Sequence, residues 1–289
     1  MEEKKELNPG VAKQAQAPEE SSQEKRMQPG FVSSESQKKP DRFAMFQEEV
    51  ELPSLGKFYG DKLLGGKVVI RPITVQEEKL MVSARDRVGV IDKVLDRCLV
   101  TRALSVDDYL MTDKFFLVLN LRTLSYGPDY TFLMTCISCK NEFKHHVRLP
   151  EGLRKKVASD DDVEPFEVHL PVSNKTLTCR FLRGHDEKAV DQYVKSTDVV
   201  SEGDPAYAYR LSCGIVTIDG QDPGLMQKLA FCENMLGKDS LALRTEFEKR
   251  QTGIDLRTTA ICPACQYENT TLIEFTTEFF RPGVQEGLR

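Results

Sequence analysis

The sequence lacks several features that would assign it to a common functional class. It contains no tryptophan and only four histidines among 289 residues, and none of its glycines forms a phosphate-binding loop or a dinucleotide-binding turn. No apolar run approaches the roughly 18 residues that a membrane-spanning helix needs. The charged opening, Met-Glu-Glu-Lys-Lys-Glu, contains no apolar segment of the kind found in export signals. These absences predict a non-enzymatic protein without catalytic or cofactor-binding residues, small-molecule substrate or stable membrane insertion.

The overall charge also restricts the class of partner. The formal net charge is −5, with 40% hydrophobic and 29% charged residues, which is an ordinary composition for a globular protein. An acidic balance of this size argues against nucleic acid as the main partner, because nucleic-acid-binding domains usually carry a basic surface.

The eight cysteines fall into two groups. Four are dispersed singly in apolar or helical surroundings, as buried free thiols are: Cys98, Cys179, Cys213 and Cys232. The other four form two Cys-x-x-Cys pairs, and each pair lies in a predicted β-hairpin. In a chain without an export signal this usage favours a reducing compartment and a metal site over disulfides.

The two pairs occur at equivalent positions of a predicted internal repeat. Five residues recur identically at a constant offset of 126 positions, which indicates a duplication: Asp113 and Asp239, Gly127 and Gly253, Asp129 and Asp255, Cys136 and Cys262, Cys139 and Cys265. The fold class predicted is α+β, with two pseudo-repeated halves. Each half consists of a strand, helices and a zinc-knuckle hairpin, and the halves share one four-cysteine zinc-ribbon site.

The offset also bears on the identity of the metal ligands. His145 and His146 follow the first cysteine pair and could complete a two-cysteine, two-histidine site there, but their counterparts are Thr271 and Leu272, which do not bind zinc. A histidine site would leave Cys262 without a partner. The sequence therefore favours exposed strand histidines and a single Zn²⁺ site.

A redox pair of the thioredoxin type is the other interpretation of Cys-x-x-Cys, but such a pair begins a helix, whereas these lie in hairpin turns. The predicted ligands of one structural Zn²⁺ per chain are therefore Cys136, Cys139, Cys262 and Cys265. Four thiolates leave no open position for water or substrate.

Composition shifts divide the chain into five segments. Residues 1–42 contain eight acidic and eight basic residues and one aromatic, which predicts a disordered or partner-bound arm. Residues 43–158 form the first pseudo-repeat, 159–165 an acidic linker, 166–282 the second pseudo-repeat and 283–289 a C-terminal tail. Asp-Pro pairs at 204–205 and 222–223 predict helix starts, and the second helix is predicted to end at Leu236, before Gly237. A short helix is predicted after Ser105, and Gly253 is predicted to stop the last helix.

Several motifs resemble one family. They occur in this order: Leu-Pro-Ser-Leu-Gly-Lys-Phe-Tyr at 52–59, Ile-Arg-Pro-Ile-Thr at 70–74, Glu-Glu-Lys at 77–79, Ile-Asp-Lys-Val-Leu-Asp-Arg-Cys at 91–98, Asp-Lys-Phe-Phe-Leu at 113–117, Leu-Arg at 121–122, Ser-Tyr-Gly at 125–127 and Cys-Ile-Ser-Cys at 136–139. The chain from about residue 50 to 282 resembles the baseplate hub and hub-assembly proteins of T-even-type contractile-tailed bacteriophages.

This resemblance implies a hub component or hub-assembly factor that is assembled in the host cytoplasm, is located in the virion tail baseplate and contacts other tail proteins. It implies no catalytic activity. The alternative is a zinc-ribbon nucleic-acid-binding or transcription-associated factor. That alternative requires a basic face on both knuckles, and the second knuckle carries Glu268 and Glu274 instead.

Overall fold

The computed structural model describes residues 44–83, 87–197, 203–276 and 279–280. These residues belong to one compact unit, Asp41–Arg289. The predicted N-terminal arm (1–42) and C-terminal tail (283–289) lie outside the described residues. The described part is a mixed α+β structure in which helices pack around several small antiparallel sheets.

More of the described residues lie in helices than in strands. The α-helices within these ranges are α1 Val75–Ser83, α2 Arg87–Cys98, α3 Met111–Tyr126, α4 Gly184–Ser196, α5 Pro205–Cys213, α6 Leu225–Glu233 and α7 Gly237–Arg250. Short 3₁₀ segments lie at Ala44–Phe46 and Gly60–Gly66. None of the described helices combines the length and apolar character needed to cross a membrane.

The strands form hairpins and short ribbons. Their bounds are β1 Glu48–Glu51, β2 Lys67–Ile70, β3 Asp129–Thr135, β4 Glu142–Arg148, β5 Lys155–Lys156, β6 Phe166–His169, β7 Thr176–Cys179, β8 Ile215–Ile218, β9 Gly253–Ile254, β10 Arg257–Ile261 and β11 Glu268–Leu272. The pairs β1–β2, β3–β4, β5–β9 and β10–β11 are antiparallel, and β6–β7–β8 form an antiparallel three-stranded sheet.

The helix α3 runs through the main hydrophobic core. Residues from Phe116 to Leu119 are all buried. This run of consecutive apolar residues covers every side of the helix, and the helix packs against α2, α4, β1 and β9. The same core includes Val50, near the beginning of the described chain, and Phe280, near the end of it. A smaller cluster joins α4, α5 and α6. The main core is thus shared by both parts of the chain and does not end at the acidic linker.

Two buried carboxylates on α3 and α7 make similar contacts. Asp113 accepts the backbone N–H of Ser54 at 3.1 Å, and Asp239 accepts the N–H groups of Val172 and Ser173 at 2.7 and 3.0 Å. Each aspartate thereby fixes a Leu-Pro loop that follows the first strand of a hairpin. Burial opposes ionisation of Asp239, but these hydrogen bonds outweigh it and lower its pKa.

Two arginine–carboxylate pairs occupy corresponding places at the starts of α1 and α4. Arg71 Nη2 lies 3.2 Å from Glu77 Oε1, and Arg180 donates to both oxygens of Asp186 at 2.7 Å. In each case the arginine directly follows the second strand of a hairpin, and the carboxylate lies six residues later in the first turn of the helix.

The structure corrects three local predictions. Residues 105–108 form a turn, in which Asp108 N–H bonds Ser105 O, and the short helix predicted after Ser105 is absent. Helix α6 begins at Leu225, where Asp222 accepts the N–H of Gly224. It ends at Glu233 and is capped by Asn234, whose side-chain amide donates to the Ala230 carbonyl at 2.7 Å. Gly237 is therefore the first residue of α7 and does not end α6.

Gly253 also has a different role from the predicted one. Helix α7 ends at Arg250, and Gly253 lies in β9 with φ +137°. A Cβ added there would lie 2.6 Å from Thr112 Cβ. Glycine is therefore required by the close approach of β9 to α3.

Candidate metal centre

Two hairpins carry the paired cysteines. In the first, β3 and β4 pair from Asp129↔Arg148 to Thr135↔Glu142. In the second, β10 and β11 pair from Arg257↔Leu272 to Ile261↔Glu268. The turn beyond each last pair contains Cys-x-x-Cys, so the hairpin geometry places both sulfurs of a pair at the same end.

Backbone hydrogen bonds shape the first turn. Cys136 N–H donates to Asn141 O at 2.9 Å, and Lys140 N–H donates back to Cys136 O at 3.0 Å. Lys140 adopts a positive φ of 61°, which is uncommon outside glycine and asparagine. This tight turn directs the Cys136 and Cys139 side chains toward the second hairpin.

The second turn repeats this geometry. Cys262 N–H donates to Tyr267 O, and Gln266 N–H donates to Cys262 O, both at 2.9 Å. Gln266 has φ 60° and stands 126 residues after Lys140. In both turns, the residue directly after the second cysteine thus has a positive φ, although one residue is lysine and the other is glutamine.

The four sulfurs converge. Cys136 Sγ lies 3.6 Å from Cys265 Sγ, Cys139 Sγ lies 3.7 Å from Cys262 Sγ, and all four atoms lie within 4.8 Å of one another. A disulfide would need about 2.05 Å. Four sulfurs about 2.3 Å from a central tetrahedral ion stand about 3.8 Å apart. The cluster therefore has dimensions that fit a metal ion bound by four thiolates.

The fold thus gathers the predicted ligands into one cluster and leaves the two nearby histidines outside it. The four cysteines are brought together, and they are the one group of metal-ligating side chains found among the described residues. His145 is half-buried and its Nε2 lies 2.9 Å from Thr258 Oγ1 on the other hairpin. His146 is exposed, beside Asp129. His145 therefore differs from the exposed residue expected, and burial together with His146 lowers its pKa.

Asn269 is a site residue that the sequence did not indicate. It is 1% exposed, its Oδ1 accepts the Ile137 N–H at 2.9 Å, and its Nδ2 lies 3.6 Å from Cys136 Sγ. It therefore supports the first knuckle from the second hairpin. Its counterpart at the 126-residue offset is Phe143, so the repeat gave no signal for it.

The sulfur environment favours ionised thiols on the inner side. Burial of Cys136 opposes ionisation, but the N–H groups of Cys139 and Ser138 and the Asn269 amide outweigh it and lower the pKa of Cys136 to about 6. Burial is likewise outweighed at Cys262, whose pKa is lowered by the N–H groups of Cys265 and Ala264. Cys136 and Cys262 are buried, whereas Cys139 and Cys265 are exposed. Each hairpin thus contributes one inner and one outer sulfur.

The comparison with known families identifies the class of the protein. The family model of the T4 bacteriophage base plate protein matches residues 45–281, which include the core and both hairpins. The chain belongs to this family. Searches of curated proteins and of solved structures found no significant match. Family membership supports a structural role in the phage tail baseplate, with other tail proteins as partners.

Proposed function

We propose that the protein acts at the baseplate hub, as a hub component or as a hub-assembly factor that associates with other tail proteins in the host cytoplasm. The observation that carries this proposal is the family match over residues 45–281. The hub-specific part is supported by the resemblance of the Pro-Ser-x-Gly-x-Phe-Tyr loop and the Ser-Tyr-Gly-to-Cys spacing.

We propose further that the four cysteines bind one structural Zn²⁺. Soft thiolates in a tetrahedral arrangement suit zinc, and the sulfur separations of 3.6 and 3.7 Å agree with its dimensions. The residues that would hold the ion occupy all four positions of a tetrahedral shell. No position is left for water or substrate, which supports a non-enzymatic role.

The proposed ion stabilises the fold, because its ligands come from two different hairpins. Each hairpin has two strands, and an isolated two-stranded hairpin is marginal in water. The ion joins the two hairpins and so stabilises both. In this proposal the site holds the scaffold together, and the surfaces that contact tail proteins lie elsewhere.

We propose that the scaffold is an internally duplicated unit, with halves at 43–158 and 166–282. Three correspondences support this. The knuckles match at an offset of 126 residues, Asp113 and Asp239 bind corresponding Leu-Pro loops, and Arg71–Glu77 and Arg180–Asp186 form corresponding pairs.

Affinity purification from infected cells tests the hub proposal. The tagged protein is expected to recover baseplate hub proteins, identified by mass spectrometry, and Cys136→Ser is expected to lose them because the scaffold unfolds. A matched thiol variant, Cys213→Ala, is expected to keep them. Recovery of nucleic acid without any tail protein would reject the proposal in favour of a zinc-ribbon nucleic-acid-binding factor. Mass spectrometry of purified virions separates a hub component from an assembly factor.

A further inference from the structure

An open cleft of about 790 Å³ lies on the side of the molecule where β5, α7, β9 and the start of β10 meet. We name it the basic cleft, after five cationic side chains that line it: Arg154, Lys155, Lys156, Arg244 and Arg257. It is lined by residues from both sides of the acidic linker, and the four cysteines are not part of its lining.

The charge of the basic cleft is opposite to that of the whole chain. Glu248 and Asp255 are the two carboxylates of its lining, so five cations leave an excess of three positive charges, whereas the chain carries −5. A concentrated positive cleft attracts a negatively charged partner, and it repels the same positive cleft of a second copy.

Two of these cations are directed at solvent. The Arg154 side chain is 89% exposed, with the nearest Asp255 oxygen 3.7 Å away, and Arg244 is exposed on α7. Others are engaged within the fold. Lys156 donates to the Lys249 carbonyl, and Arg257 bonds Asp255 at 2.9 Å. Arg154 and Arg244 are therefore the side chains most available to an incoming carboxylate.

The floor of the basic cleft is apolar. Phe115, Phe247 and Leu256 line it and are only partly buried, and Leu272 at its edge is 60% exposed. Thr252, which is 2% exposed and also lines the cleft, has a hydroxyl with no hydrogen-bond partner among the described residues. A cationic rim over an aromatic floor suits a polypeptide with both acidic and apolar side chains.

We propose that the basic cleft binds an acidic segment of another tail protein, with its carboxylates against Arg154 and Arg244 and an apolar side chain on Phe115 and Phe247. This inference rests on the proposed function, because it assigns a surface to the association with tail proteins. The chain's own residues 1–42 fit less well, since eight acidic and eight basic residues give them no net charge. Nucleic acid fits less well because the lining includes two carboxylates.

Site-specific photo-crosslinking in infected cells tests the proposal. A benzophenone amino acid replaces Gln251, which lines the cleft and is exposed. The expected product is a crosslink to an acidic peptide of a tail protein. The double variant Arg154→Glu/Arg244→Glu is expected to reduce its yield about tenfold, because repulsion replaces attraction. The matched control Lys93→Glu/Lys238→Glu makes the same charge change at exposed positions outside the cleft and is expected to leave the yield unchanged.

Each other outcome overturns the inference. The first such outcome is the absence of any crosslink. The second is a crosslink to nucleic acid, to a second copy, to residues 1–42 of the same chain or to a non-acidic peptide. The third is an equal yield from both charge variants. Circular dichroism and metal content confirm that both variants are folded. If the tagged chain recovers tail proteins but gives no crosslink at Gln251, only the assignment of the binding surface to the basic cleft is rejected. Failure to recover any tail protein rejects the proposed function as well.

Discussion

The Sγ atom of Cys136 lies 3.6 Å from that of Cys265, although 129 residues separate them in the chain. Each sulfur of one hairpin faces a sulfur of the other, since Cys139 and Cys262 are 3.7 Å apart in the same way. The two hairpins therefore meet at their knuckles, and each knuckle supplies two of the four clustered sulfurs.

Substitution of one cysteine in either knuckle should have the same effect on metal content and stability. Cys136→Ser and Cys262→Ser are each expected to lose the bound ion and to unfold, because structural zinc contributes roughly 10–16 kcal/mol in small peptides and whole domains are stable by about 5–15 kcal/mol. Metal analysis by mass spectrometry should find one zinc per wild-type chain. Cys213→Ala, a buried thiol outside the cluster, should retain it. Two ions per chain, or full zinc in either serine variant, would contradict a shared site.

Asn269 should tune the site without being a ligand. Asn269→Ala removes the acceptor of the Ile137 N–H and the amide beside Cys136 Sγ. The expected result is roughly 10–100-fold weaker metal binding and a loss of about 1–3 kcal/mol in the free energy of unfolding. Competition with a chromophoric chelator measures the first quantity. Thr270→Ala, at the neighbouring position, serves as the control, and equal affinities for the two variants would show that Asn269 does not support the knuckle.

Glu77 should make stability depend on acid pH. Burial opposes its ionisation, but Arg71 and Thr74 outweigh burial and lower its pKa from 4.5 to about 2. A lowered carboxyl pKa contributes stability that is complete above the unfolded value and is lost as the pH falls through the folded value. Glu77→Gln is therefore expected to reduce the free energy of unfolding by about 3 kcal/mol at pH 7.

Denaturant titrations at a series of pH values provide the measurement. The difference between wild type and Glu77→Gln should narrow as the pH falls from 4.5 toward 2. Glu51→Gln changes an exposed carboxylate on β1 and serves as the control. A difference that stays constant across this window would mean that Glu77 acts through packing and not through its charge.

A buried ion pair between α2 and α3 gives a further prediction. Lys114 Nζ lies 2.5 Å from Asp92 Oδ1, and both side chains are less than a tenth exposed. Lys114→Met is expected to cost roughly 3–5 kcal/mol, because it leaves Asp92 buried without that partner. Lys114→Met/Asp92→Leu is expected to recover most of the loss. Thermal unfolding of the variants in a double-mutant cycle measures the coupling, and strictly additive losses would exclude it.

The sequence predicted the elements whose signals are local. The knuckle hairpins follow from cysteine spacing, and the helix that starts at Pro205 follows from Asp204, whose side chain accepts the Ala206 N–H. The convergence of the four cysteines could also be predicted, because neither pair completes a tetrahedral shell alone. These predictions needed no knowledge of how distant segments pack.

The missed features depend on contacts between distant segments. Asn269 acts on Ile137, which is 132 residues away, and the glycine at position 253 of β9 is required by the close approach of Thr112 on α3. The strand Ile215–Ile218 begins two residues after the end of α5 and pairs with β7. No turn motif separates the strand from the helix, so the sequence did not indicate where the strand begins. The basic cleft likewise exists only after β5 pairs with β9.

The order of the ligands along the chain sets the time at which the centre can form. Cys262 follows Cys139 by 123 residues, so a nascent chain exposes the first knuckle long before the ribosome has made the second. During that interval the first two sulfurs have half of a coordination shell. In the proposed zinc protein, closure of the shell is therefore a late event of synthesis, and a chain arrested before the second knuckle cannot reach the metal-bound state.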